Sequence, residues 1–347
     1  MTQQDTLDGV DLDRLRQWMD ERSLGSGDLE DVSQLTGGTQ NILLRFRRSG
    51  DDYVFRRPPL HKRPNSDDTM RREARVLAAL SDTDVPHPRF IAGEPDTDAL
   101  GASFYLMESV DGFNAATSLP EPHRSNPAMQ AEMGFALVDS AAVLGTVDHV
   151  EVGLGDFGRP DGYLERQVER WSRQLESYHE ISDDWQPDLP GVNDVGKWLA
   201  ANRPKTSTTG IIHGDYHTAN VMYRHRSSEL AAIIDWELTT IGDALVDLGL
   251  IVAFCTEDDE GGFGPGGSLI AAFPPVGELV ARYGERSGHD VSAASWYGVL
   301  ACYKTGIILE GTYARSIAGK APKATGDMLH SIALGLFRRA NRLIRES

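Results

Sequence analysis

The sequence predicts an α+β chain in two lobes. A small β-rich lobe with one helix is expected over residues 1–110, and a larger, mainly helical lobe over 111–347. Three observations predict this. Strand-like apolar stretches punctuated by turn residues cluster early. Helical spacing of apolar residues dominates later. Between the later helices lies one dense polar motif, His213-Gly214-Asp215-Tyr216-His217-Thr218-Ala219-Asn220, followed by Ile233-Ile234-Asp235-Trp236-Glu237.

The elements follow in order. Val10 to Glu21 reads as an amphipathic helix with Leu12, Leu15, Trp18 and Met19 on one side. Ile42 to Phe46 and Tyr53 to Phe55 read as strands joined by Ser49-Gly50-Asp51-Asp52. Pro58-Pro59 stops the second strand, because proline cannot donate to a ladder. Asp67 to Leu80 is a helix with acidic residues at its start. Val85 to Ala92 and Phe104 to Met107 complete the strands of the first lobe. Helices are expected over Met129 to Val147, Tyr163 to Tyr178 and Val192 to Ala201. Short strands over Val221 to Arg224 and Leu230 to Ile234 interrupt them, and helices resume after Ala244.

Composition narrows the class. Hydrophobic residues make up 40% and charged residues 25%, as in ordinary globular proteins. No run of about 18 uncharged apolar residues occurs, so no membrane span or membrane partner is expected. Met1 to Asp20 lacks the basic and apolar regions of a secretory signal. Cys255 and Cys302 sit in apolar surroundings and read as buried thiols, which suits a cytoplasmic protein. The net charge of −18 argues against a nucleic-acid partner. Charge is uneven, however: Arg45 to Arg75 carries ten basic and five acidic residues, a local island that could face phosphates.

The motif residues point to chemistry on phosphates. A carboxylate at Asp215, a carboxamide five residues on at Asn220, and a second carboxylate at Asp235 form the set that phosphoryl transfer needs. Asp215 would face the acceptor hydroxyl. Asn220 and Asp235 would bind Mg²⁺, which takes few protein oxygens beside those of phosphates. Glu73 lies on the apolar stripe of its helix, three after Met70 and four before Leu77. A carboxylate there needs a cation, and Arg56 on the preceding strand supplies one. Such a cation can chelate phosphate oxygens. Gly37, Gly38 and Thr39 precede the first strand of the pair, where glycines let backbone N–H groups approach phosphate. Glu108 and Val110, at the end of the first lobe, would meet an adenine edge. His213 reads as structural, packing the loop, and Asp247 as a hydrogen-bond acceptor for that loop's backbone. A zinc site at His213 and His217 lacks a nearby third ligand.

With these residues placed, the chain resembles the aminoglycoside phosphotransferase superfamily, the small-molecule branch of the protein-kinase-like fold. HGDYHTAN (213–220), IIDWE (233–237) and GDALVDLG (242–249) carry the resemblance. YVFRRPP (53–59), GYLERQVERW (162–171) and ILEGTYARSIAGKA (308–321) are similar to kinase domains associated with acyl-CoA dehydrogenases. The resemblance implies an ATP-dependent kinase with Mg²⁺ acting on a small-molecule hydroxyl. The first lobe would bind nucleotide and the second would carry catalytic and acceptor-binding groups. The narrower similarity implies a hydroxylated acyl-CoA as acceptor and a stand-alone kinase without a dehydrogenase domain. Arg166, Arg170, Trp171, Trp236 and Arg315 are candidates for holding such an anionic, apolar-tailed molecule. The alternatives are an aminoglycoside acceptor, which the net charge and the Glu257 to Glu260 loop would suit, and a pseudokinase-like module that only binds nucleotide. The oligomeric state is not encoded in any of these features.

Overall fold

In the computed structural model, residues 6–35, 41–186, 188–255 and 269–347 are described. Chain packing divides it into two units, Met1–Asp111 with Ala232–Glu237, and Gly112–Ala231 with Leu238–Ser347.

In the smaller unit, β1 (Thr6–Leu7) and β2 (Val10–Asp11) form a short antiparallel ladder that leads into α1 (Leu12–Glu21). The helix starts two residues later than its apolar pattern suggests. Val10 is spent on the ladder, and the Asp11 carboxylate caps the helix by accepting the Arg14 N–H at 2.9 Å. β3 (Glu30–Gln34), β4 (Ile42–Arg48), β5 (Asp51–Arg57), α2 (Ser66–Leu80), β6 (Phe90–Glu94) and β7 (Phe104–Glu108) follow. The strands form one antiparallel sheet in the order β3-β4-β5-β7-β6. Ser49 and Gly50, both with positive φ, close a two-residue hairpin, so β4 and β5 run longer than expected.

Period-two alternation sorts the side chains of this sheet. Ile42, Leu44, Phe46, Tyr53 and Phe55 join Leu15, Trp18 and Met19 of α1 in one core. Val54 and Arg56 point to the opposite face. Two expectations are corrected here. Val85 to Arg89 is not strand, because Pro86 and Pro88 cannot donate to a ladder, and pairing begins at Phe90. β3 was not foreseen, since it is a polar edge strand in which only Val32 is half-buried.

The larger unit contains α3 (Pro127–Thr146), α4 (Tyr163–Glu176), α5 (Val192–Ala201), β8 (Thr209–Ile212) and β9 (Val221–Tyr223). β10 (Leu230–Ile233) then carries the chain from this unit to the smaller one. After the return come β11 (Thr240–Asp243), α6 (Leu245–Phe254), α7 (Val276–Ser287), α8 (Ala294–Ile317) and α9 (Lys323–Glu346). β8 and β11 pair antiparallel, with Ile211 opposite Ile241. This ladder brackets the polar motif: β8 ends one residue before His213, and β11 leads directly into α6.

All ten residues of α6 are buried, which fits a helix apolar on nearly every side. It lies close against α8 at Gly249, where a Cβ would sit 2.4 Å from the Tyr297 carbonyl oxygen. Cys255 and Cys302 are buried and unpaired, and burial pushes both thiols up to about 12, as expected for inert cysteines. Among the described residues no helix is long and apolar enough to cross a membrane.

Candidate active site

In the smaller unit the site is built around Arg56. The β5 register places its side chain beneath α2, where Glu73 is 1% exposed. Arg56 Nε lies 2.8 Å from Glu73 Oε2, and its Nη2 donates to Oε1 at 3.3 Å. Tyr105, opposite Arg56 in β7, donates its hydroxyl to Glu73 Oε2 at 2.8 Å. The Arg56 Nη2 also donates to Asp235 Oδ1 at 2.9 Å. One guanidinium therefore holds two carboxylates from distant parts of the sequence. Burial works against its charge, but Glu73, Tyr105 and Asp235 raise its pKa above the ordinary arginine value, so it remains a cation. Burial also lifts the Glu73 carboxyl, against the pull of Arg56 and Tyr105.

Asp235 has φ +65°, a left-handed conformation that a non-glycine residue holds only when its surroundings fix it. Its side chain remains 40% exposed. The carboxylate is thus anchored on one oxygen and open to solvent.

In the larger unit the motif forms a loop pinned from several sides. Asp247, buried in α6, accepts the His213 N–H at 2.7 Å and the Gly214 N–H at 2.9 Å. This is the backbone-holding role expected from its position in the apolar run. Gly214 has φ +86°, and a Cβ there would sit 2.7 Å from the Leu238 carbonyl oxygen. His213 is buried and accepts the Asp215 N–H on Nδ1 at 3.3 Å, which fits the structural role read from the sequence.

Asn220 donates its Nδ2 to both the backbone oxygen and Oδ2 of Asp215, each at 2.9 Å. The amide nitrogen is thereby committed, and the carboxamide oxygen is left available. His217 accepts the Ala219 N–H on Nδ1 at 3.2 Å, so its ring proton resides on Nε2, 3.5 Å from Asp215 Oδ2. Burial disfavours the Asp215 anion, but His217, Lys304 and His213 outweigh it and hold its pKa down at about 2. The side chain is 43% exposed.

Lys304, on α8, donates to the Gly214 carbonyl at 2.5 Å and lies 5.9 Å from the Trp171 ring centroid. It was missed in the sequence, although the rule that singled out Glu73 applies to it. Leu300 lies four residues before it and Ile307 three after, both buried, so the lysine sits on an apolar stripe. Tyr105 was missed as well; an aromatic in a strand carries no such signal.

The other candidates divide. Arg170 stacks over Trp171 at 4.9 Å and interacts electrostatically with Lys304. Arg166 is tied to the Asp161 and Arg159 carbonyls, and Arg315 to the Thr312 hydroxyl. Trp236 is buried, with its indole N–H on the Ile233 carbonyl. Glu108 ends β7 with its N–H on the Arg89 carbonyl, and Val110 lies just beyond, half-buried. Gly37, Gly38, Thr39 and the Glu257 to Glu260 loop lie outside the described residues.

The antiparallel sheet with its buried Arg–Glu pair, together with the helical unit that carries the Asp-x₄-Asn loop, defines a protein-kinase-like α+β fold of two lobes. Residues 31–290 match the phosphotransferase enzyme family, and the chain belongs to that family. It is a phosphotransferase with a hydroxyl acceptor. The chicken (Gallus gallus) acyl-CoA dehydrogenase family member 11 is 29% identical over 300 residues, covering 84% of this chain and 37% of that protein. The chain thus spans little more than a third of such a relative. A solved structure from Ralstonia eutropha, provisionally named an aminoglycoside phosphotransferase, is 27% identical and superposes with a TM-score of 0.78 over 96% of this chain and 99% of that one. A thermostable mutant aminoglycoside phosphotransferase, solved with AMP-PNP and hygromycin B, shares the fold at 12% identity and a TM-score of 0.62, over 95% of this chain and 98% of that one.

Proposed function

We propose that the chain transfers the γ-phosphate of ATP to a hydroxyl of a small metabolite, and that a hydroxyacyl-CoA is the acceptor it suits best. The observation that carries this reading is the Asp215 carboxylate, open to solvent, oriented by the Asn220 amide and held ionised. The acceptor hydroxyl would donate its hydrogen bond to Asp215 while its oxygen attacks the γ-phosphorus. The bond to the β-phosphate oxygen breaks, ADP departs, and the hydroxyl proton leaves through Asp215. A carboxylate with a pKa of about 2 is a weak base. In a loose transition state the proton is lost late, so positioning counts for more than basicity. Asp215 acts mainly by orienting the nucleophile.

Mg²⁺ would suit the oxygen donors that each unit offers. Asn220 has its nitrogen committed and offers its oxygen, and Asp235 has one oxygen anchored on Arg56 and the other free to coordinate. The ion would neutralise charge on the phosphates. Arg56, held by Glu73, serves the phosphates, and the glycine-rich sequence at Gly37, Gly38 and Thr39 is assigned to the same task on its residue types alone. The Glu108 carbonyl, whose N–H partner is already engaged, and the Val110 N–H serve the adenine edge. Residues 1–110 act as the nucleotide lobe and 111–347 as the catalytic and acceptor lobe. The two free, buried thiols suit a cytoplasmic setting.

The acyl acceptor is supported by the relative's name and by the cation Lys304, which acts on Asp215 and has Arg170 near it. An aminoglycoside acceptor is the second reading, favoured by the names of the solved structures and by the net charge of −18. The test is a screen for phosphorylated product by mass spectrometry, with MgATP and two panels, hydroxyacyl-CoA esters and aminoglycosides. Phosphorylated acyl-CoA is expected. Product confined to the aminoglycosides would reverse the substrate assignment.

A further inference from the structure

A lysine ammonium has three hydrogen-bond donors and is costly to bury without acceptors. Lys304 spends one donor on the Gly214 carbonyl, the oxygen of the peptide bond that leads into Asp215. Among the described residues no other acceptor for its ammonium is found. The acidic groups that act on it, Asp215 and Asp247, are already engaged. Asp247 takes two backbone N–H groups of the loop, and Asp215 Oδ2 takes the Asn220 amide. A second cation, Arg170, acts on Lys304 as a like charge and is itself exposed. Lys304 of α8 thus meets two carboxylates of the motif region, Asp215 and Asp247, and one like charge from α4, Arg170. Both cations lie over the ring of the buried Trp171, at 4.9 Å for Arg170 and 5.9 Å for Lys304.

We propose that Lys304 is a positioning residue of the transfer site: it fixes the Gly214 carbonyl ahead of Asp215 and presents its remaining N–H bonds to a carbonyl or carboxylate oxygen of the acceptor. This rests on Asp215 being the group that meets the acceptor hydroxyl. The acceptor class it selects has a hydroxyl within a few bonds of an electronegative oxygen. A polycationic acceptor would meet the like charge of Lys304 there and is selected against. Arg170 reinforces the preference from the solvent side.

The experiment compares Lys304→Met, Lys304→Arg and Asp215→Asn with wild type. Steady-state transfer from MgATP to a short-chain hydroxyacyl-CoA is measured, with kanamycin as the amine-bearing counterpart and thermal melting as the folding control. Lys304→Met is expected to raise the acceptor KM or lower kcat about tenfold or more, the scale of a lost charged hydrogen bond, with the ATP KM unchanged. Lys304→Arg is expected to recover a large part of that loss, because it restores a cation. Wild-type acceptor kinetics in Lys304→Met, with Asp215→Asn inactive, would overturn the inference while leaving the catalytic assignment standing. So would a loss shared equally by ATP and acceptor that tracks a lower melting temperature and is not recovered by arginine. Wild-type turnover in Asp215→Asn would instead remove the reading on which the inference rests.

Discussion

Arg56→Ala takes away the cation that faces Glu73, a carboxylate only 1% exposed. Breaking a buried pair from one side costs about 3 kcal/mol or more, because the other charge is left uncompensated. Chemical denaturation is expected to show a loss of that size, along with weaker use of ATP. The double variant Arg56→Leu/Glu73→Leu is expected to recover most of the stability but none of the nucleotide use. An unchanged unfolding midpoint in Arg56→Ala would contradict the pairing. This pair was legible in the sequence because a charged residue on an apolar helical stripe is anomalous and needs a partner on a nearby strand. Lys304 was equally anomalous, but its partner is a backbone carbonyl, which no sequence pattern announces. Asp235 was legible as a carboxylate after a strand, whereas its left-handed backbone was not, since aspartate carries no marker of φ.

Elements were legible where their periodicity was long. α5 begins and ends at the residues expected, and α2 within one residue. The missed elements were short or polar. β8 and β11, with four residues each, hold the motif loop between them, yet four residues cannot display a period convincingly. The packing of α6 on α8 is tested by Gly249→Val. The added side chain would start 2.4 Å from the Tyr297 carbonyl, and overpacking costs about 1–3 kcal/mol. A lower melting temperature is expected, and a wild-type melt would show that the two helices are not so closely apposed.

The start of α2 offers a pH test. Asp67 accepts the Lys62 ammonium at 2.7 Å and the Ser103 N–H at 2.9 Å. Burial opposes its charge, but these partners outweigh burial and lower its pKa below the ordinary aspartate value. A folded pKa below the unfolded one means stability that is present above about pH 4 and is lost as pH falls through the folded value. Asp67→Asn is therefore expected to be less stable than wild type at pH 7, with the gap closing in acid. A gap independent of pH would exclude the electrostatic cause.

At the scale of the whole molecule, the two-lobe α+β fold was readable because strand-rich and helix-rich composition are segregated along the chain. One segment escaped that reading: Ala232–Glu237 packs with the N-terminal unit despite its place late in the sequence, which is how Asp235 reaches Arg56. Family membership followed from the spacing of a few polar residues, while acceptor identity did not, because whole-chain charge says little about one pocket. The central claim is that Asp215 directs an acceptor hydroxyl onto the phosphate of ATP. Its most direct test is the rate of phosphorylated product formed from MgATP and a hydroxyacyl-CoA by wild type and by Asp215→Asn of equal thermal stability. The expected result is a fall of about 10²–10⁴-fold in the variant, the range that a positioned acid–base group contributes. Equal rates in the two proteins would contradict the account.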